Sequence, residues 1–192
     1  MITAAFEEDI KQCIATMEQG GIFLYPTDTI WGLGCDATDE AAVRKVSALK
    51  QRDDAKTMII LLAEAKDVLK YVANPHPDIV DIIKNFDRPT TVVYEGGINL
   101  PSNVVREDGT IAIRVTTDLF CKALIKRSRK PIISTSANLS GGPGAPTWPD
   151  IVPEIKQGAD YAVHYRQDDL GIAAPSAIVR VLENGELDYL RR

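Results

Sequence analysis

The sequence has 192 residues, 45% of them hydrophobic and 26% charged, with a formal net charge of −5 at pH 7. That mixture fits one globular domain with a real core and excludes a disordered, collagen-like or coiled-coil chain. No apolar run approaches the roughly 20 residues of a membrane-spanning helix, and in so acidic a chain any nucleic-acid contact must come from a local basic patch.

The first residues, MITAAFEEDIKQ, carry acid where a signal peptide carries base, so a cytoplasmic protein without membrane attachment is expected. Cys13, Cys35 and Cys121 are odd in number and far apart, which argues against a disulfide framework. His76 and His164 show no metal-ligand spacing, so no protein-held metal is expected.

Ile10, Cys13, Ile14 and Met17 recur at helical spacing, and Gly20-Gly21 ends that helix. Residues 22–25 read as a buried strand stopped by Pro26. Thr38 is placed to cap a second helix with Ala42, Val43, Val46 and Leu49 inside, and 58–62 form the next strand. Two helical patterns follow, Val68/Leu69/Val72 and Ile79/Ile82/Ile83/Phe86, divided by Asn74-Pro75-His76-Pro77. Residues 91–94 and 110–115 read as strands, 119–125 as a helix, 131–134 as a buried strand and 134–149 as a long loop. A short helix at 151–156, a strand at 161–165 and a hairpin at 177–190 complete the chain, with Asn184-Gly185 predicting a type I′ turn. Interleaved strands and helices predict one α/β domain, residues 1–192, around a twisted mixed sheet flanked by helices.

Four segments place polar residues at strand ends, where α/β proteins hold ligands. Tyr25-Pro26-Thr27-Asp28-Thr29 runs into Gly32 and Gly34, which let a ligand approach the backbone; the alternative is a turn in which Asp28 bonds its own backbone. Lys50, Arg52 and Lys56 supply three cations in seven residues, suited to a triphosphate or merely to a helix C-terminus. Arg114 lies opposite Ile111 and Ile113 on its strand, ready to hold a carboxylate or to face water. Ser134, Thr135, Ser136, Asn138 and Ser140 gather donors that can surround phosphate or ribose, although the segment is no Walker A loop. There is no Gly-x-Ser-x-Gly elbow, and Cys35 reads as a small buried thiol rather than a nucleophile.

Together YPTDTIWGLGCDA (25–37), ALKQRDDAK (48–56), TIAIRV (110–115), PIISTSANLSG (131–141) and APSAIVRV (174–181) resemble the YrdC/Sua5 family, the threonylcarbamoyl-AMP synthases, over nearly the whole chain. Lys50-x-Arg52 combined with Ser136-Ala137-Asn138 is the most specific part of that likeness. The resemblance implies a concave, positively charged face and formation of threonylcarbamoyl-adenylate and pyrophosphate from L-threonine, bicarbonate and ATP. The product serves t6A modification of tRNA, with Mg2+ accompanying ATP and no tightly bound organic cofactor. Carried over by motif, Lys50 and Arg52 are the expected catalytic pair. Arg52, Lys56, Thr110, Ser136, Asn138 and Arg191 are expected to contact ATP, and Thr29, Arg114, Ser134 and Ser176 to contact L-threonine. The expected partners are proteins that use the product for t6A transfer, with tRNA or double-stranded RNA as a further ligand. Asp53 stands where family members carry proline after Lys-x-Arg, and Thr57-Met58 and Arg88-Pro89-Thr90-Thr91 depart from the family pattern. Those departures keep open a weakly active or inactive paralogue that binds RNA on the same face. The C-terminal domain of the long-form members is expected to be lacking.

Overall fold

The computed structural model describes residues 5–51 and 58–192. In helix α1 (Glu7–Glu18), buried Ile10, Cys13 and Met17 form one apolar stripe, acidic residues fill the first turn, and Gly20 follows at φ +64°. Strands β1 (Phe23–Tyr25) and β2 (Gly32–Gly34) are buried throughout. Helix α2 (Glu40–Leu49) is capped by Asp39, whose carboxylate accepts from the N–H groups of Ala41 and Ala42. Thr38 is not the cap: its hydroxyl donates to Asp36, and a carboxylate accepting two amides makes the stronger terminus.

Strand β3 (Ile59–Leu62) leads to a 3-10 helix, Ala65–Lys70, where an α-helix is predicted. Its buried residues Ala65 and Val68 are three apart, the repeat of a 3-10 turn, whereas Leu69 is left exposed. After α3 (Ile79–Lys84) come β4 (Thr90–Glu95), β5 (Thr110–Val115), α4 (Leu119–Ser128) and β6 (Ile132–Ser136). Strand β6 runs on past Ser134 through Thr135 and Ser136, expected as loop, because these pair with Leu33 and Gly32 of β2. A short α5 (Pro153–Gly158) precedes β7 (Tyr161–Ala162), and β8 (Ala177–Val181) and β9 (Leu187–Arg191) form the hairpin. Its turn is not type I′, since of Asn184 and Gly185 only Gly185 has positive φ (+82°). The N–H of Gly185 donates to Leu182 and that of Leu182 to Glu186, a three-residue loop with glycine at its left-handed position.

The strands form one mixed sheet in the order β7-β1-β2-β6-β3-β5-β4-β8-β9, with β1/β7, β3/β5 and β4/β8 parallel and the remaining pairs antiparallel. Alternation divides each strand between two cores. Leu24, Leu33, Ile60, Ile113 and Ile133 face α2, α3 and α5, whereas Phe23, Tyr25, Leu61 and Ile132 face α1 and α4.

The predicted strand 161–165 stops early because Asp9 takes over its backbone. The Asp9 carboxylate, 5% exposed, accepts from Tyr161 Oη (2.6 Å) and from the N–H groups of His164 and Tyr165 (both 2.9 Å), which leaves His164 outside the strand. Burial pushes this carboxyl up, but the phenol and the two amides outweigh it and hold Asp9 below the usual carboxylate range. A lowered folded-state value stabilises the fold above about pH 4, and that contribution disappears as pH falls through the lowered value. Asp9→Asn is therefore expected to cost about 1–3 kcal/mol at neutral pH and to flatten the acid limb of stability. Urea midpoints from pH 7 to pH 3 check both effects.

Candidate active site

The register of the sheet builds the site. Ile59 and Leu61 of β3 stand beside Ala112 and Arg114 of β5, and Ile59 stands opposite Ser134 of β6. Ser136 meets Gly32, and Thr91 meets Arg114. Period-two alternation then puts Gly32, Ile59, Arg114, Ser134, Ser136 and Thr91 on one face, the face that carries α1 and α4. Beyond those two helices this face opens into a cavity of about 300 Å³ lined by Thr29, Trp31, Gly32, Ile59, Arg114, Ser134, Ser136, Asn138, Ser176 and Arg191, among others. Glycine keeps the β1/β2 end of this face low. A Cβ at Gly34 would stand 2.5 Å from the Ile133 carbonyl oxygen and 2.7 Å from Tyr25 Cε1.

Seven expected site residues therefore meet in one cavity: Thr29, Arg114, Ser134, Ser136, Asn138, Ser176 and Arg191. Thr29 belongs to a directed chain of hydroxyls. Thr27 Oγ1 donates to the Ile30 carbonyl (2.8 Å), so the proton of the 2.9 Å Thr27–Thr29 contact comes from Thr29 Oγ1. The Thr29 hydroxyl is left to accept, and it suits a ligand amine or hydroxyl. Ser176 is fixed by a 2.8 Å contact with Thr91 Oγ1, and its carbonyl accepts from Arg191 Nε and Nη2. Burial and the nearby Arg114 both hold the Arg191 guanidinium below its usual range, so two cations share this cavity. An anion relieves their mutual repulsion.

Arg114 is 3% exposed, and its Nη2 lies 3.3 Å from Asp28 Oδ1. The contact lacks hydrogen-bond geometry: Asp28 Oδ1 and Arg114 Nε and Nη2 are buried without hydrogen-bond partners among the described residues. Asp28 does not bond its own backbone, as the turn reading has it. Its Oδ2 accepts from Thr116 Oγ1 (3.0 Å) and the Thr117 N–H (3.1 Å).

Three of the expected residues are placed as follows. Lys50 is 2% exposed and is not among the cavity-lining residues. Its Nζ donates to the backbone carbonyls of Ser136 and Asn138, and its own carbonyl accepts from Ser140 N–H (2.9 Å). Lys50 thus ties the C-terminal end of α2 to the hydroxyl-rich loop through that loop's own backbone. Asn138 lines the cavity, but its Nδ2 is spent on the carbonyls of Leu139 (2.8 Å) and Gly142 (2.9 Å), so it also shapes the loop. Thr110 is not brought to the cavity. It shares Arg114's face but sits at the other end of β5, opposite Glu95, with its hydroxyl donating to Asp108 (2.6 Å). Arg52 and Lys56, and with them Asp53 and Thr57, lie outside the described residues.

Trp31 is a cavity residue that the sequence reading passed over; it packs against Trp148 with ring centroids 5.1 Å apart. Its place in the glycine-flanked segment was the available signal. All three cysteines are buried, and burial pushes the Cys35 thiol well up, which fits an inert side chain. Among the described residues no helix is long and apolar enough to cross a membrane, and no group of three His, Cys, Asp or Glu could hold a metal ion.

A family model, Sua5_yciO_yrdC, described as "Telomere recombination", matches residues 15–192. The chain belongs to the Sua5/YciO/YrdC family. A family relative called threonylcarbamoyl-AMP synthase, from Pseudoalteromonas translucida, is 32% identical over 184 residues, covering 94% of this chain and 97% of the relative. A second of the same name, from Pseudoalteromonas atlantica, is 38% identical over 129 residues, or 66% of this chain and 69% of the relative. The Sua5/YciO/YrdC fold is evident in two solved structures. P. abyssi Sua5 in complex with L-threonine superposes with TM-score 0.84 at 23% identity, covering 96% of this chain and 54% of that one. E. coli YciO gives 0.79 at 21% identity, covering 96% and 89%.

Proposed function

We propose that the chain is a cytoplasmic L-threonylcarbamoyladenylate synthase, a nucleotidyltransferase that makes threonylcarbamoyl-AMP and pyrophosphate from L-threonine, bicarbonate and ATP for t6A synthesis. The observation that carries this reading is the single cavity shared by Arg114, Arg191 and the Ser134–Ser136 strand end, with the next loop pinned by buried Lys50. The names of relatives matching at full length agree with it. Arg114 receives the amino-acid carboxylate, the accepting hydroxyl of Thr29 faces its amine or side-chain hydroxyl, and Ser134 and Ser176 complete that pocket. Ser136, the loop shaped by Asn138, and Arg191 take the nucleotide, with Arg52 and Lys56 as further phosphate ligands.

The chemistry asks little of a nucleophile. The threonine amine combines with bicarbonate to form a carbamate and water. A carbamate oxygen then attacks the α-phosphorus of ATP, the bond to the β-phosphate oxygen breaks, and pyrophosphate leaves. Positioning and neutralisation of spreading negative charge supply the acceleration, which is what fixed guanidiniums, hydroxyls and backbone amides provide. Mg2+ bound with ATP would supply further neutralisation of the phosphate charge. The product then passes to the proteins that transfer it to tRNA.

The test is pyrophosphate release from the purified chain. The expected result is release that requires threonine, bicarbonate and ATP together, with threonylcarbamoyl-AMP identified by mass. ATP turnover indifferent to threonine, or no turnover with all three present, overturns the assignment.

A further inference from the structure

We infer that Asp28 is a positioning residue for this site: its buried carboxylate aims the Arg114 guanidinium at the cavity and offsets its charge without using up its hydrogen bonds. The inference rests on the reading of the cavity as an amino-acid site.

Asp28 is itself firmly placed. Thr116 Oγ1 and Thr117 N–H, just past the end of β5, hold its Oδ2, and Thr116 is fully buried, its own N–H bonded to the Leu62 carbonyl (3.0 Å). Arg114 lines the cavity, whereas Asp28 lines an adjoining cleft that shares Thr29, Ile30 and Trp31 with it, so the ion pair lies at the edge of the ligand space. Nε and Nη2 of Arg114 are buried, which leaves Nη1 as the nitrogen offered to that space.

The contact is also incomplete. A structural ion pair in so buried a place would normally close into hydrogen bonds, because unmatched buried polar atoms are costly. Here Oδ1 and Nη2 approach to 3.3 Å and neither makes one. The arrangement keeps the cation compensated in the free protein and leaves it able to turn toward an arriving carboxylate. Once that carboxylate binds, the guanidinium lies between two negative groups, and their repulsion limits how tightly the ligand is held.

Two consequences separate this role from mere structural support. Asp28→Asn keeps shape and removes charge. It is expected to tighten L-threonine binding about fivefold to tenfold, as repulsion between nearby carboxylates disappears. It is also expected to lower kcat at least tenfold, because the guanidinium loses its orientation. Asp28→Glu keeps the charge but shifts it by a methylene, so affinity stays near that of the parent while kcat falls. The measurement is calorimetric titration of parent and variants with L-threonine and with propionate, beside steady-state pyrophosphate release. Weaker or unchanged binding by folded Asp28→Asn, or unchanged kcat, overturns the inference. A parent chain that binds neither threonine nor propionate overturns the amino-acid reading instead. If Asp28→Asn does not accumulate folded, Thr116→Val removes one anchor of the carboxylate: kcat is expected to fall with KM unchanged, and an unaltered kcat overturns the role.

Discussion

Arg114→Gln is expected to lower kcat/KM for L-threonine by about 10²–10³, the worth of one buried charge-assisted carboxylate contact of roughly 3–4 kcal/mol. The substitution also strands Asp28, whose side chain is 9% exposed, without its cation. Loss of one partner of a buried pair costs about 3–5 kcal/mol, a large fraction of the roughly 5–15 kcal/mol margin of an ordinary domain. Activity and stability separate in the double variant. Asp28→Asn with Arg114→Gln removes both charges, and most of the stability is expected to return while threonine-dependent pyrophosphate release stays lost. Urea denaturation and the pyrophosphate assay on the two single variants and the double variant check the cycle. A double variant that regained activity would remove Arg114 from the substrate pocket.

Lys50→Met carries the second large effect. Methionine fills much the same buried volume but leaves the Ser136 and Asn138 carbonyls without the ammonium that holds them. Two charge-assisted bonds lost at buried acceptors cost about 2–4 kcal/mol, which lowers the melting temperature by roughly 5–15 °C in a chain of this size. Because those carbonyls belong to the loop proposed to take the nucleotide, KM for ATP is expected to rise while KM for threonine moves little. A direct phosphate ligand gives a different pattern: catalysis falls while melting is unchanged. Melting curves beside ATP and threonine titrations distinguish the two.

What could be read from residues alone follows the range of the interaction. The alternation Ile111, Ile113, Val115 puts Arg114 on the opposite face of its strand, and the sheet register confirms that placement. Most strands and the helices α1, α2 and α4 are similarly legible, because each rests on spacing within a few residues, whereas the face of the sheet that each helix covers is set by the tertiary fold. Thr110 shares Arg114's parity, but which end of a strand meets a cavity depends on the neighbouring strands, and β5 sets Thr110 against Glu95. Asp28 read as a local turn residue because its partners Thr116 and Thr117 lie 88 and 89 residues away. Lys50 read as a phosphate ligand by its charge, and its burial under residues 136–138 comes from tertiary packing that charge patterning does not encode.

Crystals of the chain grown with L-threonine and a non-hydrolysable ATP analogue test the central claim most directly. The account predicts the threonine carboxylate about 3 Å from the Arg114 guanidinium, with the nucleotide phosphates beside Ser136 and residues 138–142. Threonine density away from Arg114, or a nucleotide bound outside this cavity, contradicts it.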